Sequence, residues 1–176
     1  MIVGILALQG DFEAHAKVLR ELGGTPREVR TPRDLEGLDA IVIPGGESTT
    51  MTLGIERENL RGPLTELIES GIPTLGTCAG LIMLDRDHLQ VLDVTTKRNA
   101  FGRQVQSFEA ELEVDGENVT AVFIRAPWVE EAGEGVEVLA EVDGHPVAVR
   151  QDNILAVAFH PELTDDVRLH QWVLKA

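Results

Sequence analysis

The single cysteine of the chain, Cys78, stands at the centre of the pentapeptide Gly76-Thr77-Cys78-Ala79-Gly80. This is the thiol counterpart of the G-x-S-x-G elbow, in which a nucleophile occupies a strained strand-to-helix turn and small neighbours avoid a clash. Unpaired N–H groups and the dipole at the start of the following helix favour the thiolate, which is the reactive form of cysteine. The pattern predicts a nucleophile, and the alternative is a buried cysteine that acts as a small hydrophobe.

A candidate base for this nucleophile follows a predicted strand near the other end of the chain. Residues 153–159 form an apolar run, and His160-Pro161-Glu162 comes directly after it. The ends of strands are where open α/β sheets place their chemistry. His160 could accept and return a proton, while Glu162 could accept from the other ring nitrogen and fix the tautomer. Cys78, His160 and Glu162 are therefore the predicted catalytic residues.

A third chemical element is the glycine-rich loop at residues 44–50, which follows the predicted strand 39–43. Adjacent glycines can present backbone N–H groups to a developing negative charge, as an oxyanion hole requires. We predict that Gly46 and Ala79 supply these donors. The simpler alternative is a turn followed by a helix capped by Ser48 or Thr49, and both interpretations can hold together. A phosphate-binding P-loop is disfavoured because no lysine follows the glycines.

Composition limits the classes of function and partner. The net charge is −15, and only three of fifteen basic residues are lysine, so nucleic acid is not expected as a partner. At 176 residues the chain fits one domain over residues 1–176. One cysteine, the lack of a secretory signal and the lack of a membrane-spanning run predict a cytoplasmic location and no membrane partner. The remaining histidines have no ligand spacing, so we assign no metal and no cofactor.

The order of predicted elements indicates an α/β fold. Strands and helices alternate through the first part of the chain, which favours a parallel sheet. From residue 89 to 150, strands separated by Asp-Gly and Gly-rich turns predict an antiparallel section inserted before the last parallel strand. Strands are predicted at residues 2–8, 27–30, 39–43, 72–77, 106–114, 119–124, 136–142, 146–150 and 153–159, and helices at residues 11–22, 60–70 and 165–174, the last with Thr164 as its cap.

Seven short segments, taken together, resemble the class I glutamine amidotransferases, and within them the glutaminase subunits of pyridoxal 5′-phosphate synthase. They are LQG (8–10), PGGESTT (44–50), GTCAG (76–80), RNAFGRQ (98–104), SFE (107–109), FIRAP (123–127) and FHPELT (159–164). The resemblance extends over residues 1–168. It implies a three-layer, flavodoxin-like fold with a mostly parallel central sheet.

The resemblance also implies an activity. Such a protein hydrolyses L-glutamine to glutamate and ammonia through a thioester on Cys78, and passes the ammonia to a separate synthase subunit that makes the coenzyme from sugar phosphates. The residues implied for glutamine binding are Gly46, Glu47, Ser48, Arg103, Ile124 and Arg125. Gln9 is implied to lie at the contact with the synthase subunit and to help set the oxyanion loop.

Other interpretations remain open from the sequence. Either arginine could form a surface salt bridge instead of binding substrate. The chain could be the glutaminase of another amidotransferase or a γ-glutamyl cysteine hydrolase, which share the proposed nucleophile. A regulatory subunit that keeps the fold without catalysis is a further alternative, although such a subunit has no need of Cys78, His160 and Glu162 together.

Overall fold

The centre of the protein, described here by a computed structural model for residues 1–102 and 107–176, is a seven-stranded sheet. Its strands, in spatial order, are β2 (Thr25–Val29), β1 (Ile2–Leu6), β3 (Ala40–Ile43), β4 (Thr74–Thr77), β11 (Ile154–Val157), β10 (His145–Gln151) and β9 (Glu137–Val142). Two smaller antiparallel pairs join β5 (Val94–Lys97) to β8 (Trp128–Ala132) and β6 (Ser107–Val114) to β7 (Glu117–Ile124).

The first five strands in this order are parallel to one another. The strand β10 is antiparallel to its neighbours β11 and β9 on either side. Every residue of β3, β4 and β11 is buried, as expected for parallel strands covered on both faces. The mostly parallel sheet with an antiparallel section is thus confirmed. Part of that section, β9 and β10, extends the main sheet, whereas β6 and β7 form a separate hairpin.

Helices cover both faces of the sheet. They are α1 (Phe12–Glu21), α2 (Ser48–Arg57), α3 (Arg61–Glu69), α4 (Ala79–Leu84) and α5 (Arg168–Lys175), with short 3₁₀ turns at Pro32–Leu35 and Pro161–Leu163. The crossover from β1 to β2 and the crossover from β3 to β4 run in opposite directions across the sheet. Right-handed connections therefore place α1 and the α2–α3 pair on opposite faces. No helix in the described residues combines the length and the apolar character that crossing a membrane requires.

Several predicted boundaries are wrong, for local reasons. The last helix begins at Arg168, and its cap is Val167 rather than Thr164. The Thr164 hydroxyl instead donates to the carbonyl of Pro161 and accepts from the N–H of Asp166, which holds a turn before the helix. Two strands, β5 and β8, were not predicted from the sequence. Within the part of the chain that the structure describes, they pair only with each other, and the last residues of β8 are exposed, so neither shows a long apolar alternation.

Candidate active site

Four adjacent parallel strands, β1, β3, β4 and β11, end at the same edge of the sheet. The chain leaves β1 toward one side of the sheet and β3 toward the other, and such a switch point opens a crevice at the carboxyl ends of the strands. The loops after these strands line one open cavity of about 430 Å³. The predicted site residues in its wall are Gln9, Gly46, Glu47, Ser48, Cys78, Ala79, Ile124, Arg125 and His160. Arg103, also predicted to bind substrate, lies outside the described residues.

Cys78 occupies a strained elbow between β4 and α4. Its φ is 49°, a value that only glycine adopts without cost, and its N–H donates to the Val157 carbonyl at 2.8 Å. A Cβ on Gly80 would lie 1.9 Å from the carbonyl oxygen of Ile43, and one on Gly76 would lie 2.6 Å from Leu84 Cδ1. Gly80 has no room for a side chain against the backbone of Ile43, whereas a side chain at position 76 would require Leu84 to move, so both positions favour a glycine, as the pentapeptide predicts.

His160 lies beside Cys78, although 82 positions separate them in the chain. A Cβ added to Gly45 would touch both side chains, at 2.7 Å from His160 Cε1 and 3.3 Å from Cys78 Cβ. His160 Nδ1 is 2.7 Å from Glu162 Oε1, and the Glu162 side chain is fully buried. Burial alone would lower the pKa of His160, but hydrogen bonds with Cys78 and then Glu162 raise it to about 10. The arrangement favours an imidazolium between a sulfur and a carboxylate.

The loops after β1 and β3 interlock at the mouth of the cavity. Gln9 Oε1 accepts a hydrogen bond from the N–H of Glu47. A Cβ on Gly46 would lie 2.3 Å from Gln9 Oε1, and a Cβ on Gly10 would lie 1.8 Å from the Gly45 carbonyl oxygen. Gln9 therefore sits against the glycine loop, where the resemblance places it. Its contact with a synthase subunit stays a prediction.

Glu47 caps the helix that follows the glycine loop. Its carboxylate accepts from the N–H of Thr49 at 3.0 Å and from the N–H and hydroxyl of Thr50 at 2.8 and 2.7 Å. These bonds, led by the Thr50 hydroxyl, lower the pKa of Glu47 to about 2. The predicted turn followed by a capped helix is thus present, but the cap of α2 is Glu47 and neither Ser48 nor Thr49. The predicted role of Glu47 toward glutamine remains a prediction.

Two charged residues of the cavity were missed from the sequence. Arg98 lines the cavity and donates to Thr49 Oγ1 at 3.1 Å. Its position at the start of the RNAFGRQ segment was the signal that the sequence offered. Asp11 also lines the cavity, with Oδ2 at 3.9 Å from His160 Nδ1. Ligand atoms of Asp11, His160 and Glu162 lie within 4.8 Å of one another, but His160 Nδ1 already bonds Glu162, which indicates acid–base chemistry rather than metal binding.

A group of buried polar residues behind Glu162 was also missed. His15 of α1 and His170 of α5 are both fully buried, and His15 Nε2 is 3.3 Å from Glu162 Oε2. The sequence separates these histidines by 155 positions. The available signal was a histidine on the buried side of each amphipathic helix, which does not reveal what it contacts.

Comparisons with known proteins agree with this geometry. The model of the SNO glutamine amidotransferase family matches residues 5–176. The chain is 51% identical to "Pyridoxal 5'-phosphate synthase subunit PdxT" of Parafrankia sp., over 96% of this chain and 89% of that one. It is 50% identical to the protein of the same name from Mycobacterium tuberculosis, over 96% and 92%.

Solved structures are similar as well. One described as "Crystal structure of glutamine amidotransferase" has a TM-score of 0.93 and 47% identity, covering 99% of this chain and 98% of that one. The structure of PurLQS from Thermotoga maritima has a TM-score of 0.78 at 16% identity, covering 98% and 96%, and shows the fold alone. The family model matches nearly the whole chain, and the close relatives cover it almost completely. The chain therefore belongs to the SNO glutamine amidotransferase family.

Proposed function

We propose that the protein is the glutaminase subunit of a pyridoxal 5′-phosphate synthase, formed by one glutamine amidotransferase domain over residues 1–176. It hydrolyses L-glutamine to glutamate and supplies the ammonia to a synthase subunit. The observation that carries the proposal is the Cys78–His160–Glu162 arrangement at the wall of an open cavity, in a chain half identical to proteins named as subunits of that synthase. We also propose a cytoplasmic location, where reducing conditions keep Cys78 a free thiol.

The first half of the reaction forms a thioester. The Cys78 thiolate attacks the side-chain amide carbon of glutamine, and the carbonyl oxygen becomes an oxyanion. When the tetrahedral adduct collapses, the C–N bond breaks and the His160 imidazolium gives its proton to the departing nitrogen, which leaves as ammonia. The raised pKa of His160 supports this role, because the ring holds its proton until the leaving group takes it.

The second half regenerates the enzyme. Neutral His160 takes a proton from water, and the hydroxide attacks the γ-glutamyl thioester. The C–S bond then breaks, which releases glutamate and restores the thiolate beside the imidazolium. Glu162 holds the ring through Nδ1 in both halves and stabilises its positive charge.

The oxyanion in both halves needs nearby N–H donors. Gly46 and Ala79 line the cavity with Cys78, which supports them as the donors. Loss of one such donor costs about 3 kcal/mol of transition-state stabilisation in comparable enzymes. The interlocked Gln9 side chain therefore affects catalysis through the loop that carries Gly46.

Glutamine also needs partners for its α-ammonium and α-carboxylate groups. We propose that Glu47, Ser48, Arg103, Ile124 and Arg125 contribute these contacts. Except for Arg103, these residues line the same cavity as Cys78. Arg98, whose guanidinium reaches Thr49, adds a second described cation at this wall. A guanidinium suits a carboxylate because it can donate two parallel hydrogen bonds.

The test measures glutamate formation from glutamine, with and without the synthase subunit from the same organism. We expect release of glutamate that increases when the synthase is added, and its loss in Cys78→Ala. A glutamine-like electrophile such as a diazoketone should label Cys78 in the wild-type protein. Activity that survives Cys78→Ala would falsify the nucleophile assignment.

The same assay separates the other candidates. Turnover of γ-glutamyl peptides in preference to glutamine would indicate a γ-glutamyl hydrolase. Glutaminase activity that only another acceptor subunit stimulates would indicate a different amidotransferase. No labelling of Cys78, even with the synthase present, would indicate a non-catalytic subunit.

A further inference from the structure

Buried polar groups continue inward from the candidate catalytic residues, beyond the part that the reaction uses. His160 Nδ1 meets Glu162 Oε1 at 2.7 Å, and the other carboxylate oxygen, Oε2, lies 3.3 Å from His15 Nε2. On the far side of the His15 ring, Nδ1 lies 2.9 Å from His170 Nε2. The side chains of Glu162 and His15 have no exposed surface, and His170 is fully buried. We call His15 and His170 the histidine pair.

The histidine pair is uncharged at neutral pH. Burial, followed by the proximity of His170 and His160, holds the pKa of His15 well below its usual value. Burial also lowers the pKa of His170 to about 4. A neutral imidazole has one N–H donor and one acceptor nitrogen, so the contacts of the pair decide which nitrogen carries each proton.

Of the two assignments of the protons, one fits the contacts with Glu162 and His170 better than the other. If His15 carried its proton on Nδ1, its Nε2 lone pair would face the Glu162 carboxylate, and the His170 proton would sit on Nδ1, which has no partner among the described residues. An unpaired buried N–H and two facing acceptors are both costly. In the opposite assignment, His170 Nε2–H donates to His15 Nδ1, and the proton on His15 Nε2 lies near both Glu162 Oε2 and Thr77 Oγ1. His170 Nδ1, which has no partner among the described residues, then carries a lone pair and not a proton.

Glu162 Oε2 needs such a donor. It is buried, and no described residue makes a well-aligned hydrogen bond to it. His15 Nε2 is close to both this oxygen, at 3.3 Å, and Thr77 Oγ1, at 3.2 Å. A single N–H placed between two oxygens forms a three-centre contact, and its dipole still stabilises the carboxylate.

We propose that His15 is a positioning residue for catalysis, which holds the Glu162 carboxylate toward His160, and that His170 fixes the tautomer in which His15 can do so. The proposal rests on the proposed function, because it concerns the same acid–base pair. Thr77 extends the arrangement to the nucleophile, since it contacts His15 and directly precedes Cys78. One buried donor would then orient the carboxylate and contact the strand that carries the sulfur.

The first test reads the tautomers directly and needs no activity. The full-length protein labelled with ¹⁵N in histidine is studied by NMR at neutral pH, where the shifts of the ring nitrogens show which one is protonated. His15→Gln and His170→Gln assign the signals. We expect His15 and His170 both to be protonated on Nε2. A proton on His15 Nδ1 would overturn the proposal.

The second test uses variants matched in size. His15→Leu removes the donor, whereas His15→Gln keeps an N–H near the position of Nε2. In the glutaminase assay with the synthase, we expect kcat of His15→Leu to fall about 10-fold or more with KM changed less than about twofold, and His15→Gln to recover most of the loss. Equal kcat in the two folded variants, or wild-type kcat in His15→Leu, would overturn the proposal.

A second pair of variants covers the case in which His15→Leu does not fold. His170→Leu removes the donor to His15 Nδ1, and His170→Gln retains one. We expect a smaller loss of kcat in His170→Leu, about threefold to 10-fold, and recovery in His170→Gln. Equal kcat in this pair would count against the role of His170. Thermal unfolding of each variant shows whether a loss of kcat reflects a loss of folded protein.

Failure of this proposal differs from failure of the proposed function. If the wild-type protein releases no glutamate and Cys78 is not labelled, the function is wrong, whatever the tautomers are. If the wild-type protein is active but the Leu and Gln variants behave alike, the function stands and the positioning role is wrong.

Discussion

At the scale of single residues, the candidate site works by sharing one positive charge between two acceptors. The His160 ring lies between the Cys78 sulfur and the Glu162 carboxylate, and the interactions with both exceed the effect of burial. In the proposed reaction, the imidazolium would balance the negative charge of the attacking sulfur. The same contact keeps a proton available for the leaving group.

Replacing Cys78 by serine should lower the pKa of His160 from its value of about 10. A neutral hydroxyl gives the imidazolium much less stabilisation than a thiolate, while the effect of burial remains and favours the neutral ring. The imidazolium would then be lost at a lower pH than in the wild-type protein. NMR titration of the His160 Cε1 proton in both proteins measures the change. An unchanged pKa in the variant would show that Cys78 is not a partner of the ring.

Candidate residues whose chemistry depends on a local pattern can be predicted from the sequence. Cys78 is marked by the small residues that its turn requires, and His160 with Glu162 by their position after an apolar strand. The sequence could not reveal His15 or His170, because each contact joins elements far apart in the chain and a buried histidine has no characteristic spacing. Arg98 lies between these two cases. It belongs to a segment that the sequence singles out, but its contact with Thr49 could not be predicted without the structure.

At the scale of elements, the site depends on two loops that touch through their backbones. The loop after β1 places Gly10, with a φ of 97°, directly against the Gly45 carbonyl. The N–H of Asp11 donates to that same carbonyl at 3.3 Å. Because there is no room for a side chain between the loops, their relative position is fixed by glycine.

Replacing Gly10 by alanine should destabilise the protein by about 3 kcal/mol, through the positive φ and the overlap with Gly45. Gly135 gives the matched control, since its φ is not positive and a Cβ there meets nothing within 4 Å. Gly135→Ala should be neutral or stabilising by up to about 1 kcal/mol, because alanine restricts the unfolded chain more than glycine does. Urea denaturation of the two variants measures both effects. Equal stability of the variants would mean that the loops can separate at little cost.

The cap on α2 should depend on pH. The pKa of Glu47 in the folded protein is lowered to about 2 from 4.5, so the stability from this carboxylate is complete above about pH 4.5 and is lost as the pH falls toward 2. Glu47→Gln should therefore lower the melting temperature at pH 6, with a difference from the wild type that shrinks steadily below pH 4.5. Glu66→Gln, in the middle of α3 and exposed, is the control. A difference that stays constant down to pH 2 would argue against the ionised cap.

The elements that the sequence predicts well are those with one dominant signal. Buried apolar runs predict the strands β1, β3 and β11, and turn residues predict the hairpin of β6 and β7. The short strands β5 and β8 were not predicted, because their pairing comes from tertiary contact and not from a local pattern. The helix after residue 164 was predicted too early, because the competing hydrogen bonds of Thr164 cannot be counted from composition.

At the scale of the whole molecule, the topology of the sheet brings the residues of the site together. The ends of β1, β3, β4 and β11 meet because these strands are parallel neighbours, so segments from 9 to 160 along the chain share one cavity. Alternating elements predict a parallel sheet, but they do not give the order of its strands. The net charge is −15, and exposed ion pairs such as Arg30–Glu28 and Arg61–Glu56 each contribute little to stability.

This excess of negative charge should make stability depend on salt. Repulsion among acidic groups opposes the compact state, and its range falls from about 30 Å at 0.01 M to about 8 Å at 0.15 M ionic strength. We expect the free energy of unfolding at pH 7 to increase by on the order of 1 kcal/mol over this range. Urea denaturation in sodium chloride measures the change, because urea adds no ions of its own. A neutral osmolyte at the same osmolality is the control, and it should give a much smaller increase. Stability that falls with added salt would instead mean that attraction within local pairs such as Arg61–Glu56 outweighs the repulsion over the whole surface.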